Sequence, residues 1–213
     1  MKEKIIAQCR KPTGYFGRMM ARAMNRGHKV SAWGLEFISV DKKSSVLDVG
    51  CGGGATVKRL AGMVPEGFVV GVDYSADCTV VAGKFNRKLI KKNKVEILQA
   101  SVEALPFPDE KFHLVTSVES YYFWPDLIEN LKEIYRVLKP QGEIVLINEC
   151  YRTEDFNKRN EEWSVFGGFD YHTPDEFRQF LEKAGFRNID IRLKESRTWI
   201  MVKGKKIKRS ALI

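Results

Sequence analysis

Ten residues, Val46-Leu47-Asp48-Val49-Gly50-Cys51-Gly52-Gly53-Gly54-Ala55, constrain the fold more than any other part of the chain. Val46, Leu47 and Val49 suit a central strand covered on both faces. The glycines at 50, 52, 53 and 54 strip the Cβ atoms from the turn that follows, so the backbone can take φ > 0 and approach a bound molecule closely. Val57, Leu60, Ala61 and Val64 then recur at helical spacing. Asp48 interrupts the apolar strand. A carboxylate is costly to bury alone, so one at the end of a central strand implies a partner nearby.

The alternation of strands and helices continues beyond the loop. Phe68 to Asp73 has a second buried-strand pattern ending in a carboxylate, and Ser75 is placed to cap a helix from Ala76 to about Lys92. Val95 to Gln99 forms a third strand. A loop with two prolines, Ala100 to Glu110, leads to a fourth strand at Phe112 to Val118, and the aromatic run Tyr121-Tyr-Phe-Trp124 lies just past its end. Pro125-Asp126 starts a helix to Leu138, Pro140-Gln-Gly142 stops it, and Glu143 to Asn148 is a fifth strand. This order calls for an α/β fold with a parallel sheet, right-handed crossovers and ligands at the carboxyl ends of the strands. The tail differs. After a polar, aromatic insertion at 149–172, Thr173-Pro174-Asp175-Glu176 caps a helix to Ala184, and strands at about 187–194 and 197–203 are joined tightly enough to be antiparallel.

Residues 1–43 precede the first strand as a helical extension to the domain at 44–213. Phe16, Met19, Met20, Ala23 and Met24 make one helical stripe flanked by Arg18, Arg22 and Arg26, and Gly27 ends it. A second helix, Val30 to Val40, offers Trp33 and Phe37 to the same core. Three roles are open to this extension: packed helices, a lid over a ligand site, or a membrane-surface helix. A lid that is partly core is the expectation, because methionine stripes commonly serve as adaptable walls.

At 213 residues the chain suits one substantial core. No apolar run approaches the ~20 residues of a membrane span, and the start lacks the apolar core of a secretory signal, so a cytoplasmic protein is expected. Four cysteines, at 9, 51, 78 and 150, are too scattered for a zinc site, and no metal is expected. Cys51 reads as a small residue filling a tight turn. The net charge of +9 is spread over Arg18–Lys29, Lys84–Lys94 and Lys203–Arg209. Such runs are ordinarily solvated faces, which argues against a nucleic-acid partner and leaves weak contact with a membrane surface open to the basic N-terminal helix. A monomer or homodimer is expected.

Alone, Gly50-x-Gly52-x-x-Ala55 also fits the dinucleotide fingerprint of nicotinamide enzymes. Asp48, two residues before the first glycine, is poorly placed beside a pyrophosphate and well placed for a cationic group. Asp73 stands 23 residues beyond Gly50, where the tip of a second strand can hold a ribose diol. With these acids, the glycines and the Ala104-Leu-Pro-Phe-Pro-Asp109 loop in view, the chain from about Ser44 to Gly185 resembles the class I S-adenosylmethionine-dependent methyltransferases, and within them the UbiE-type branch.

The resemblance implies a Rossmann-like seven-stranded sheet of order 3-2-1-4-5-7-6, mostly parallel with an antiparallel last pair. It also implies S-adenosylmethionine as cofactor, with S-adenosylhomocysteine as product. Asp48, Gly50, Cys51, Gly52 and Gly54 would cradle its methionine part and ribose, Asp73 would hold the ribose hydroxyls, and Tyr74 would flank the adenine. Ser101, Val102 and Glu103 would form the adenine segment, and Val118 to Tyr121 would line the methyl side. Two residues depart from the pattern. Ser101 stands where such proteins have an acid at the adenine amino group, though a hydroxyl can still accept that bond. His113 replaces an acid at the start of strand four and reads as a surface substitution.

Methyl transfer from a sulfonium chiefly requires in-line approach and exclusion of water, so no catalytic triad is expected. An oxygen or nitrogen acceptor must also lose a proton, and His28, His172, Glu119 and Tyr121 are the candidates to take it. Tyr121 to Trp124 could form an apolar wall and meet a cation. Trp163, Phe166, Phe169 and Tyr171 could close over the acceptor, which is expected to be a small apolar or aromatic molecule. An RNA or protein methyltransferase, and a non-catalytic S-adenosylmethionine-binding module, are the alternatives.

Overall fold

A computed structural model describes residues 11–25, 29–154, 161–162, 164–165 and 170–207. Its centre is a seven-stranded sheet formed by β1 (Ser45–Val49), β2 (Phe68–Asp73), β3 (Val95–Gln99), β4 (Phe112–Val118), β5 (Leu138–Asn148), β6 (Arg187–Lys194) and β7 (Trp199–Lys205). The order across the sheet is β3-β2-β1-β4-β5-β7-β6. Strands β1 to β5 run parallel, and β7 lies antiparallel to both β5 and β6. The expected sheet is therefore present in full. β7 starts at Trp199, two residues later than anticipated, because Glu195–Arg197 makes a 3-10 turn closed by Thr198 at positive φ.

Seven helices among the described residues flank the sheet: α1 (Gly14–Met24), α2 (Lys29–Leu35), α3 (Ala55–Met63), α4 (Ala76–Phe85), α5 (Arg87–Ile90), α6 (Leu127–Val137) and α7 (Pro174–Lys183). Because neighbouring residues of a strand point to opposite faces, each buried strand feeds two cores. On one face Leu47, Val70 and Leu146 pack with Leu131 and Ile134 of α6 and Phe177 and Leu181 of α7. On the other Val46, Val69 and Ile147 pack with Val30 of α2, Val57 and Leu60 of α3, and Ala82 of α4. α7 begins with the expected cap: Thr173 Oγ1 accepts from the Glu176 amide at 3.2 Å, and the Glu176 carboxylate accepts from the Thr173 amide at 2.8 Å.

Three helices differ from their sequence patterns. The helix expected from Ala76 to Lys92 breaks at Asn86, whose side-chain amide turns inward and donates to the carbonyls of Gly54 at 2.9 Å and Ala82 at 3.1 Å. α2 stops at Leu35 rather than Val40, since the amides of Glu36, Phe37 and Ile38 turn back to carbonyls three residues earlier.

α1 is rotated about its axis from the expected stripe. Gly17 and Ala21 are its buried residues, whereas Phe16 and Met19 are exposed. The cause is a close approach to α4: Ala21 packs against Cys78 and Val81, and the Gly14 amide and Arg18 guanidinium both bond the Asp77 carboxylate, at 2.6 and 2.5 Å. Small residues permit that distance; the larger ones face outward.

Asp48 is 1% exposed in the middle of the sheet, opposite Gly71 of β2 and Thr116 of β4. Its partner is the Thr116 hydroxyl, which donates to Oδ1 at 2.7 Å. A neutral donor cannot offset the loss of hydration, so burial raises the carboxyl pKa from 3.8 to about 7. The sign of the linkage follows. A raised pKa means that the folded state holds its proton more tightly, so stability is greatest below 3.8 and falls as pH rises to about 7. Asp48→Asn should therefore gain stability relative to the native chain across that interval, by on the order of 2–4 kcal/mol above it. Urea unfolding at a series of pH values measures the difference, which a flat profile would contradict. A second expectation concerns Gly34 of α2, where a Cβ would stand 2.7 Å from three side-chain atoms of Ile147. Gly34→Ala should cost about 1–3 kcal/mol in the same assay.

Candidate active site

At the carboxyl edge of β1, β2 and β4 the chain encloses a cavity of about 450 Å³. The glycine loop is its floor. Positive φ at Gly50, +74°, turns the chain out of β1, and a Cβ there would stand 2.3 Å from Ser120 Oγ, just past β4. At Gly53 a Cβ would meet the Ala21 carbonyl at 2.2 Å, so the loop is pressed directly against α1. Asn25, at the end of α1, completes the clamp: its Nδ2 donates to the Gly53 carbonyl at 2.8 Å and its Oδ1 accepts from the Ala55 amide at 3.1 Å. Asn86 holds the Gly54 carbonyl from the opposite side.

This bonding decides what the loop can do. The amides of Gly50 and Cys51 both donate to the Val72 carbonyl, and the Gly54 amide donates to that of Cys51. The Gly52 amide donates to Asp73 Oδ2 at 2.9 Å. Asn25 occupies the Ala55 amide at the start of α3. A dinucleotide site presents such amides and the helix N-terminus to a pyrophosphate. Here the amides of Gly50, Cys51, Gly52, Gly54 and Ala55 are already satisfied, and the wall beside them is a carboxylate. The loop is a backbone platform suited to a ligand without phosphate.

Asp73 lines the cavity at the tip of β2, with Oδ1 accepting from the Ser75 amide at 2.9 Å. Burial raises its carboxyl above the usual range, and the two amide bonds hold it down. Beside it stand Tyr74, with the Lys11 ammonium 5.2 Å above its ring, and the segment Ser101, Val102 and Glu103. The Ser101 hydroxyl donates to the Glu103 carboxylate at 2.9 Å and accepts from the Glu103 amide. An acid is thus present at this wall two residues later than the family pattern has it, fixed by the serine that replaces it.

Beyond the loop the cavity is lined by Val118, Glu119, Tyr122, Phe123, Trp124 and Glu149. Glu119 has φ +55°, an unusual conformation for this residue type, which carries its side chain across the carboxyl edge. Its Oε1 accepts from the Glu149 amide at 2.5 Å, and its Oε2 accepts from the Tyr122 hydroxyl at 3.2 Å. Burial and the neighbouring Glu149 raise its pKa from 4.5 to about 7, against the lowering effect of these two bonds.

Of the residues expected at the cofactor, Gly50, Cys51, Gly52, Asp73, Tyr74, Ser101, Val102, Glu103 and Val118 line this one cavity. Asp48 lies beneath the loop, within the sheet, and Gly54 starts α3 outside the wall. The proton-acceptor candidates divide. Glu119 faces the cavity, while Tyr121 is buried against Phe177 and His172, and His172 packs on Phe180, so both stand behind the wall. His28, Trp163, Phe166 and Phe169 lie outside the described residues. His113 is at the opposite edge of the sheet, where Nδ1 accepts from the Ser45 amide. Tyr122 was expected only as part of the Tyr121–Trp124 wall, and Glu149 was not expected at the site. The strand-four pattern allowed either tyrosine to face inward, and Glu149 is brought in only by the pairing of β4 with β5. From the N-terminal extension, Pro12, Ala23, Met24 and Val30 also line the cavity.

Comparison with known proteins identifies the family. The family described as "Methyltransferase domain" matches residues 47–146. A demethylmenaquinone methyltransferase of Lactobacillus johnsonii is 30% identical over 186 residues, covering 76% of each chain. One from Lactococcus lactis is 39% identical over 110 residues, which is 51% of this chain and 43% of that protein, so that similarity spans less than half of the relative. A solved S-adenosylmethionine-dependent methyltransferase from Aquifex aeolicus superposes with a TM-score of 0.74 at 21% identity, over 89% of this chain and 98% of that one. The chain belongs to the class I S-adenosylmethionine-dependent methyltransferases, in their UbiE-like branch.

Proposed function

We propose that the protein transfers a methyl group from S-adenosylmethionine to a small apolar or aromatic molecule that enters beside Glu119 and the Tyr122–Trp124 wall. The observation that carries this reading is a single cavity joining the glycine platform and Asp73 at one end to Glu119 and three aromatic rings at the other. The residues fit the cofactor. Asp73 can accept from both ribose hydroxyls, Glu103 can accept from the adenine amino group, and Tyr74 can cover one face of the base. When bound, the cofactor supplies a methyl group on a cationic sulfonium, ready for in-line displacement.

The chain's own contribution is orientation, dryness and a proton acceptor. Trp124, Phe123 and Tyr122 offer apolar surface that expels water around the reacting centre and π faces that favour a nearby cation. Among the described sequence candidates, Glu119 is the one group that both faces the cavity and titrates near neutrality. It would take the proton of an acceptor hydroxyl or amine, with Tyr122 holding its second oxygen in place. The demethylmenaquinone methyltransferase relatives support a flat aromatic acceptor. The positive charge of the chain favours a second reading, an RNA or protein substrate, but the enclosed aromatic end of the cavity suits a small molecule better.

Two measurements test the reading. Isothermal calorimetry should show binding of S-adenosylmethionine and S-adenosylhomocysteine, with Asp73→Ala weakening both by roughly 30-fold or more, about 2 kcal/mol, while the unfolding transition stays cooperative. Unchanged affinity would remove Asp73 from the ribose. Transfer of labelled methyl into a metabolite extract, followed by mass identification, should reveal the acceptor. With it in hand, kcat should rise as pH increases through about 7 in the native enzyme. Glu119→Gln should flatten that rise and lower kcat by roughly 10²–10⁴-fold. A full pH profile retained in the variant would assign the proton to another group.

A further inference from the structure

The outer surface of α1 and α4 combines two features that the sequence holds sixty residues apart. Because α1 packs through Gly17 and Ala21, its bulky apolar residues are left outside: Tyr15 is 84% exposed, Phe16 44% and Met19 46%. The partner helix adds Val80, which is exposed. Around them, α1 carries Arg18 and Arg22, and the continuation of α4 carries Lys84, Arg87, Lys88, Lys91 and Lys92, all exposed. Asp77 is the single acid on these helices, and Arg18 already pairs with it.

We infer that this face docks the protein on an anionic lipid bilayer, with Tyr15, Phe16 and Met19 entering the headgroup region and the α1, α4 and α5 cations meeting lipid phosphates. Two properties together select a membrane. A basic surface alone would suit any polyanion, but it would not require the uncovered apolar side chains of α1. An apolar surface alone would suit another protein, but it would not need so one-sided a ring of cations. A helix with bulky apolar residues between arginines is the form in which a protein lies in a lipid interface, and clustered lysines add attraction to an anionic leaflet. The placement has a consequence for access. Ala23 and Met24 of the same helix line the cavity, so a docked α1 stands between the bilayer and the cavity. An apolar acceptor dissolved in lipid would then reach the cavity past this helix, which links the inference to the proposed acceptor, although docking itself does not depend on that chemistry.

Sedimentation with vesicles tests it. The full chain should co-sediment with vesicles of phosphatidylcholine containing a third phosphatidylglycerol, and at least tenfold less with phosphatidylcholine alone. Phe16→Ser with Met19→Ser should lower the partition coefficient by tenfold or more. Lys84→Glu with Lys88→Glu should lower it by about fivefold or more for each lysine. Thermal unfolding and calorimetry with S-adenosylhomocysteine, run on every variant, should be unchanged, because none of the four residues touches the cavity. Failure of the native chain to bind S-adenosylhomocysteine would sink the cofactor reading and leave the vesicle result standing. Equal binding to neutral and anionic vesicles would overturn the inference. So would vesicle binding that survives the Phe16/Met19 change. It would equally be overturned if a single-stranded RNA oligonucleotide displaced the protein from vesicles and bound the serine variant as tightly as the native chain, or if that variant converted a dimer to a monomer in sedimentation velocity without altering vesicle binding.

Discussion

The glycine loop is the point at which the remainder of the molecule is joined. Its platform shape is not free-standing: Ser120 presses on it from β4, the Ala21 carbonyl and Asn25 from α1, and Asn86 from the end of α4. Each of these contacts requires a missing Cβ or a carbonyl turned outward, so three segments distant in sequence depend on one turn. The same bonding satisfies the loop's own amides, and this separates the site from a dinucleotide fold of similar sequence. A turn with most of its N–H groups directed into the protein offers shape and carbonyl oxygens, and the charge in the cavity comes from side chains around it.

Those side chains are acids. Asp73, Glu103, Glu119 and Glu149 line the cavity of a chain whose net charge is +9. Carboxylates brought together in a partly dry space favour any cation that enters. The clearest effect is at Glu119, where Glu149 stands beside a carboxyl already penalised by burial. A cation entering the cavity beside Glu119 would offset that penalty and favour its ionised form.

Much of this arrangement was legible in the sequence, and the parts that were not share a cause. The strands could be read because each is a short branched run bounded by turn residues, and the strand order came with the family resemblance carried by Asp48, Asp73 and the glycines. The partner of Asp48 could not be named, because Thr116 reaches it only through the register of β1 with β4, across 68 residues. Glu149 was hidden in the same way by the register of β4 with β5. The orientation of α1 was misread for a different reason. Periodicity identifies a helix, but which stripe faces inward depends on how closely the neighbour approaches, and here Asp77 draws α1 near enough that glycine and alanine fill the contact. Asn86 broke an apparently continuous helix because its amide serves the loop carbonyl of Gly54 instead of solvent.

The rotation of α1 gives the helix two environments of opposite sign. Its inner side reaches the acidic cavity through Met24 and clamps the loop through Asn25, while its outer side carries Arg18, Arg22 and the uncovered Tyr15, Phe16 and Met19. A uniformly amphipathic helix, buried along its methionine stripe, would have sealed the cavity with large side chains and left only polar groups outside. With the small stripe inward, α1 can lie close to α4 and still leave bulk apolar surface exposed on its outer side. Whatever binds that outer face therefore acts on the same rigid element that closes over the glycine loop. A contact that shifts α1 by even a fraction of an ångström must be felt at Gly53, because no side chain lies between them to absorb it.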